Sequence, residues 1–262
     1  MSLSRLEIIL VEPIYPGNVG AIARSAANFG VETIKIIGDV DFLCDDAKQM
    51  SLYGYPLLQK ATRWKSLSEA VADCNLVIGT VQQERYNRSM PLSARIMAEK
   101  YRSRLISEKT ALIFGREDNG LTRDEIDQCH ILSTITTPTG LSFNLAHSVT
   151  VFLSEIYQAI KGKKPLEESE KPTQSELNDL IDLMQAGLYG IGFFKPDRKV
   201  NTLIRIRDIV YRMNLENSDI PVLKAIFYKV DSFARRALPL LPKEAFKDCR
   251  LMEKPERDGA EP

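Results

Sequence analysis

Up to Gly162 the chain alternates short apolar runs with helix-patterned stretches, and no other feature constrains its fold as tightly. RLEIILV (5–11), TIKIIG (33–38), NLVIGT (75–80), TALIFG (110–115) and ILSTI (131–135) each end near a glycine or a polar loop and predict strands. Helical patterns begin between them at Asn18, Leu67, Pro91, Thr122 and Asn144. Several of these strands are apolar on both faces, which with the strand–helix alternation argues for a parallel sheet covered by helices. The expected class is α/β, a parallel sheet flanked by helices. In such a sheet the ligand sits beyond the carboxyl ends of the strands. The loops to inspect are therefore EPIYPGN, GTVQQERYNRSMP, GREDNG and TTPTGLSFN.

After Gly162 the composition changes to GKKPLEESEKPTQ, a polar, proline-containing stretch that reads as a solvated linker over 163–175. Thr173 and Glu176 have capping-box spacing, and Leu177, Leu180, Ile181 and Met184 follow at core spacing. Two more helical patterns, around 200–213 and 219–238, complete a small helical module over 176–250, and 251–262 reads as a disordered acidic tail. Lys+Arg and Asp+Glu are both 35, so no anionic partner is drawn by the field of the whole molecule. Locally the balance differs: residues 193–250 hold 13 Lys/Arg against 7 Asp/Glu. That asymmetry suits contact with a phosphate backbone and equally suits a solvated helix surface.

Apolar runs such as Ile8 to Val11 and Val149 to Leu153 are far shorter than the roughly 18 residues needed to span a bilayer, so no membrane segment is expected. The opening MSLSRLEIILVEP has strand periodicity broken by Glu7 and Glu12 and no signal-cleavage pattern, which makes a cytoplasmic location the default. Cysteines at 44, 74, 129 and 249 form no CxxC pair, and with only His130 and His147 beside them no metal site is expected. Neither a strand-linked G-x-G-x-x-G nor a G-x-x-x-x-G-K-[ST] occurs, which leaves a typical dinucleotide fold and a P-loop ATPase unsupported.

Three segments carry the chemistry. In PGNVGAIARSAANFG (16–30), Asn18 can cap a helix whose buried face is Val19, Ile22, Ala23, Ala26 and Phe29, and Gly30 can end it. Arg24 projects off that face, either as an exposed helix arginine or as a guanidinium aimed at an anionic ligand. In TALIFGREDNGLTRDEIDQC (110–129), Gly115 allows close backbone approach at a strand end, and Thr122 with Glu125 forms a capping box. Glu117 can accept hydrogen bonds or simply pair with a neighbouring cation. In ITTPTGLSFNLAHSVTVFLSEIY (135–157), Pro138 and Gly140 shape a loop, and Ser142 and Asn144 stand where a helix starts. His147 is expected to be packed and not catalytic, since no nucleophile partners it.

Together NVGAIAR, LIFGREDNGL and LSFNLAHSV resemble the three motifs of the SPOUT superfamily of RNA methyltransferases, in order and spacing across nearly all of residues 5–160. The stretch GFFKPDRKVNTLIRIRDIVYRMNL resembles the helical extension of the TrmJ group, whose members methylate ribose 2′-hydroxyls in the tRNA anticodon loop. The resemblance implies a C-terminal trefoil knot in the sheet, S-adenosylmethionine as cofactor, tRNA as substrate with nucleotide 32 as its target, and a homodimer. Carried over by motif, Thr80, Val81, Gln82, Gly115, Ile135, Leu141, Ser142 and Phe143 would contact the cofactor. Arg24, acting from the opposite subunit, would activate the ribose hydroxyl, with Asn18, Ser142 and Asn144 organising the pocket. A guanidinium stays protonated, so orienting the hydroxyl and stabilising the developing alkoxide is its expected role, with a neighbouring phosphate taking the proton. Arg85, Arg88 and Arg116 are candidates for RNA phosphates, with surface ion pairing an equal alternative. The loop VQQERYNRSMP and the Gly140-Leu141 pair depart from the relatives' pattern and bear on the base preferred at the target. Methylation of another RNA site or of a base nitrogen, or RNA binding without catalysis, are the competing functions; Arg24 favours ribose chemistry.

Overall fold

The computed structural model of the chain describes residues 2–82, 90–162, 171–194 and 199–237. They fall into two compact units, Met1–Ser175 and Glu176–Pro262. Arg85, Arg88, most of the expected linker and the acidic tail lie outside the described residues.

The first unit is a seven-stranded sheet in which every pairing is parallel. Its strands are β1 (Leu6–Val11), β2 (Thr33–Ile37), β3 (Thr62–Trp64), β4 (Leu76–Thr80), β5 (Leu92–Ser93), β6 (Thr110–Phe114) and β7 (Ile131–Thr134). The five runs read as strands are all present. Two short ones were not legible: β3 is three residues with two exposed, and β5 is two residues where a helix was expected to begin at Pro91.

The order is β3-β2-β1-β6-β4-β7-β5, so β6 inserts between β1 and β4, and β7 between β4 and β5. The helices of this unit are α1 (Pro16–Phe29), α2 (Asp45–Ser51), α3 (Tyr55–Gln59), α4 (Leu67–Val71), α5 (Ala94–Lys100), α6 (Arg102–Ser107), α7 (Arg123–Ile126) and α8 (Leu145–Ile160). Strand side chains alternate between the faces. Ile8, Leu10, Ile34, Ile36, Leu76, Ile78, Leu112 and Phe114 join one core with α1, α5 and α8. Ile9, Val11, Val77, Ala111 and Ile113 join the other with α4 and α7. Central strands buried on both faces are what parallel pairing requires.

In α1 the buried face is Val19, Gly20, Ile22, Ala23 and Ala26, and Gly30 at φ 70° closes the helix in the left-handed region. Thr122 and Glu125 form the expected capping box of α7, and Asn144 caps α8 by accepting from the Ala146 and His147 amides.

At the amino edge of the sheet a buried Lys35–Glu7 pair joins the more exposed Lys109 and Asp73. Lys35 Nζ lies 2.7 Å from Glu7 Oε2 and donates to the Ala70 carbonyl at 2.6 Å. Lys109 pairs with Glu7 at 3.0 Å and with Asp73. Burial works against its charge, but these bonds outweigh it and raise the Lys109 ammonium's pKa. Glu7, Asp73 and Cys74 converge here with the spacing of metal ligands, yet both carboxylates are engaged by lysines. Burial first, and Glu7 next, push the Cys74 thiol far above its usual range, so it stays protonated and unreactive.

The second unit contains most of α9 (Gln174–Gly190), with α10 (Lys199–Arg212) and α11 (Asp219–Ala237). Leu177, Leu180, Ile181, Val210, Leu215 and Ile220 form its core, and Met184 packs against them.

Candidate functional site

The loops leaving β1, β4, β6 and β7 emerge at the carboxyl edge, and three of them enclose a cleft. It is lined by Thr80, Val81 and Gln82 from β4, Gly115 to Leu121 after β6, and Ile135 and Gly140 to Phe143 after β7. Its walls are held by local bonds. Thr80 Oγ1 donates to the Ile113 carbonyl at 2.8 Å, and the Val81 amide to the Ser133 carbonyl at 2.9 Å. Gln82 Nε2 donates to the Gly140 carbonyl at 2.8 Å, tying the β4 loop to the β7 loop.

Gly115 makes the central turn feasible. A Cβ there would fall 2.2 Å from the Gly120 carbonyl carbon and 2.4 Å from the Leu121 amide nitrogen, so no side chain fits. Between them the 116–120 loop is closed by a bridge, with the Arg116 and Gly120 amides exchanging bonds at 3.2 and 2.9 Å. The Arg116 side chain fastens the same loop. Its Nε donates to Glu12 at 2.7 Å, and its two terminal nitrogens meet Glu125 at 3.1 Å each. Glu12 and Glu125 hold the guanidinium's pKa above its ordinary value, and Arg116 in turn lowers that of the Glu12 carboxyl. Of the two roles open to Arg116 from sequence, the geometry here is ion pairing.

A second set of bonds joins the three motif segments. Glu117 accepts from the Ile14 amide at 2.9 Å, the Tyr15 amide at 3.4 Å and Asn18 Nδ2 at 2.9 Å. Asn18 Oδ1 accepts from Asn144 Nδ2 at 2.9 Å, while Asn144 Oδ1 caps α8. Glu117, Asn18 and Asn144 therefore form one chain from the β6 loop through α1 to α8. Asn18 does not cap α1 as expected. The helix starts earlier, with Tyr15 at the N-cap and Pro16 in the first turn, because proline's fixed φ and missing N–H suit that position. This frees the Asn18 side chain for the link. Glu117 is the residue whose importance sequence left undecided, because its partners are about a hundred positions away.

Ser142, Leu141 and Phe143 line the cleft and are exposed, Leu141 by 71%. His147 is exposed and not packed, as its place in the first turn of α8 turns it outward. Arg24 does not line the cleft of its own chain. It is exposed on α1, with its guanidinium 5.7 Å from the centre of the Tyr53 ring. Arg24 therefore stands apart from the expected cofactor residues.

Fold and site together define an α/β domain with a cleft walled by three loops at the carboxyl edge of a parallel sheet. The family model of the SpoU rRNA methylases matches residues 5–154, and the chain belongs to this family. It is thereby an enzyme of methyl transfer. Among relatives, the tRNA (cytidine-2′-O-)-methyltransferase TrmJ of Methanocaldococcus jannaschii is 33% identical over 180 residues, covering 67% of this chain and 77% of its own. The tRNA (cytidine/uridine-2′-O-)-methyltransferase TrmJ of Photorhabdus laumondii is 28% identical over 89% of this chain and 100% of its own. In fold, the chain matches the crystal structure of TrmJ from Z. mobilis ZM4 with a TM-score of 0.72 and 24% identity, over 86% of this chain and 98% of that one.

Proposed function

We propose that this protein methylates a ribose 2′-hydroxyl of tRNA, at nucleotide 32 of the anticodon loop, using S-adenosylmethionine and acting as a cytoplasmic homodimer without a metal. The observation that carries the reading is the Glu117–Asn18–Asn144 chain beside the cleft, which locks the three motif segments into one site. The two TrmJ relatives point to tRNA ribose as the acceptor.

The cleft suits the cofactor chemically. Its lining sets the glycines and polar residues of three loops against apolar walls at Ile135, Leu141 and Phe143, a combination able to read an adenine edge and enclose an aliphatic chain. Thr80, Val81, Gln82, Gly115, Ile135, Leu141, Ser142 and Phe143 would hold it, and when bound it supplies an electrophilic methyl group on a sulfonium. Gln82 and Gly140 keep two walls together while the acceptor enters.

Methyl transfer to a hydroxyl needs the oxygen positioned and its proton removed. Arg24 donates from its guanidinium to the 2′-oxygen and stabilises the alkoxide as the proton leaves for a neighbouring RNA phosphate. Ser142 and Asn144 orient the ribose, and Asn18 holds Asn144 in place. Since Arg24 does not line its own cleft, the reading requires a second copy to bring this residue to the site. Insertion of β6 between β1 and β4 and of β7 between β4 and β5 supports a trefoil knot formed by the chain after β5. In domain terms we read 1–162 as the catalytic domain, 163–175 as linker, 176–250 as the helical module and 251–262 as its tail, with Arg85 and Arg88 toward RNA phosphates.

The test is transfer of labelled methyl from S-adenosylmethionine to unmodified tRNA, followed by nuclease digestion and nucleoside mass spectrometry. A 2′-O-methylated nucleoside from position 32 is expected. A methylated base would instead assign nitrogen chemistry, and binding without transfer would leave an RNA-binding protein. Arg24→Ala is expected to retain cofactor binding while losing about 100-fold or more in transfer, on the scale of a lost transition-state donor. Equal loss of folding and cofactor binding would mean that Arg24 is structural.

A further inference from the structure

We propose that Tyr53 is the positioning residue of Arg24, setting the guanidinium in the attitude from which it meets the acceptor. The inference rests on the reading of Arg24 as the group that activates the ribose hydroxyl. Tyr53 lies in the 3₁₀ turn Leu52–Gly54 that follows α2, and Arg24 lies in the middle of α1. The Arg24 guanidinium sits over the Tyr53 ring at 5.7 Å from its centre. Asn28, one turn further along α1, donates to the Tyr53 hydroxyl at 2.5 Å and to the Arg24 carbonyl at 3.2 Å. An arginine on a helix surface samples many rotamers, and a cation held over an aromatic face samples fewer while keeping N–H groups free to donate.

The backbone that carries this tyrosine is packed closely against α1. Leu52 adopts φ 45° and ψ −122°, a positive φ that a branched side chain takes only under constraint, and so redirects the backbone at the end of α2. Gly54 then brings the turn against the backbone of α1 at Arg24 itself. A Cβ there would lie 2.6 Å from the Ala23 carbonyl carbon and oxygen and from the Arg24 amide nitrogen. Upstream, Gly20 lets α2 close on α1, since a Cβ would fall 2.1 Å from the Ala47 carbonyl oxygen. A glycine contact on either side and one strained residue between them hold a side chain that is itself 57% exposed. Ala47, Leu57 and Leu58 of this stretch join the core with α1, and Tyr53, which adds little to that core, is left at the surface beside Arg24. Contact with Arg24 first, and with Asn28 next, also lowers the Tyr53 phenol below its ordinary pKa.

The experiment is steady-state methyl transfer by the full-length enzyme on a tRNA transcript, with Tyr53→Phe, Tyr53→Leu, Asn28→Ala and Arg24→Lys variants. The Tyr53→Leu protein is expected to lose about 10-fold or more in kcat, and Tyr53→Phe, which keeps the ring, about 3-fold, with KM for cofactor and tRNA within about twofold of the parent. In the Arg24→Lys background, Tyr53→Leu is expected to add less than about twofold, since the pair acts as a unit. Should Tyr53→Leu fail to fold, the Tyr53→Phe and Asn28→Ala rates read the same coupling. An unchanged kcat, losses that multiply across the pair, or a raised KM or altered oligomeric state in place of the kcat loss would overturn the proposal. If Arg24→Ala keeps its activity the underlying reading fails; if Arg24→Ala is inactive and Tyr53→Leu is not, the positioning role alone fails.

Discussion

His130 shows how far a residue's environment can depart from what its neighbours in sequence suggest. Its Nδ1 accepts the Val77 amide at 3.0 Å, while its own amide donates to the Val77 carbonyl at 2.9 Å, so it stitches the chain entering β7 to β4. Burial first, and the Arg104 charge next, lower the imidazole pKa from 6.5 to about 3, which keeps it neutral in the folded protein. The unfolded chain binds a proton there below pH 6.5, so the stability present above that pH is lost as the pH falls toward 3. Between pH 7 and 5 this histidine is expected to remove about 1 to 2 kcal/mol of stability, and the carboxyls of Glu12 and Asp73, whose pKa values are lowered, add to the loss at lower pH. Urea denaturation of the parent and of His130→Asn, which keeps an acceptor for Val77, checks it: the variant is expected to show the smaller loss over that interval. A steeper loss in the variant would contradict the assignment.

Among the elements, the loop between β6 and α7 depends most on a single position. The strand ends at Phe114 and the chain folds back on itself across Gly115, with Arg116 spanning Glu12 and Glu125 to hold the turn. Gly115→Ala is expected to force the 116–121 segment open and weaken S-adenosylmethionine binding by about 10-fold or more, since a 1 Å displacement of a positioning element costs on that order or above. Calorimetric titration of the cofactor reads this directly, and wild-type affinity would show that the loop does not shape the site. The element level also marks where sequence was legible. Long apolar runs with clear ends, such as 5–11 and 110–115, announced their strands. The edge strands β3 and β5 did not, because two or three residues of parallel pairing at a sheet margin carry no periodicity.

For the whole molecule, the proposed tRNA substrate raises the question of how a chain with no net charge would engage an anionic nucleic acid. The basic excess of residues 193–250 lies in the second unit, where α10 and α11 carry Arg205, Arg207, Arg212, Lys224, Lys229, Arg235 and Arg236. Of these, Lys224 and Arg235 pair with Asp179 and Asp231, each pair with one partner largely exposed, contacts of small worth that a phosphate can displace. Truncation after Gly162 is expected to weaken tRNA binding and to reduce the steepness of its salt dependence, as each lost phosphate contact removes close to one unit from the slope. Filter binding across a salt series measures both quantities. An unchanged affinity and slope would remove the helical module from the docking surface.

Sequence alone determined the α/β class, the five principal strands, the buried face of α1, the capping residues Asn144 and Thr122, and the glycine at the turn after β6, because each is written in local spacing and backbone preference. It also carried the three motif segments that the SpoU rRNA methylase family model matches. Only the tertiary structure decided that Asn18 reaches Glu117 and Asn144 instead of capping its helix, that Arg116 is spent on Glu12 and Glu125, and that Tyr53 lies over Arg24. Those partners are separated by up to 126 positions, and which ones meet depends on β6 inserting between β1 and β4. Local periodicity records which face a residue turns inward; strand order, set by the packing of the whole sheet, determines what waits on the other side.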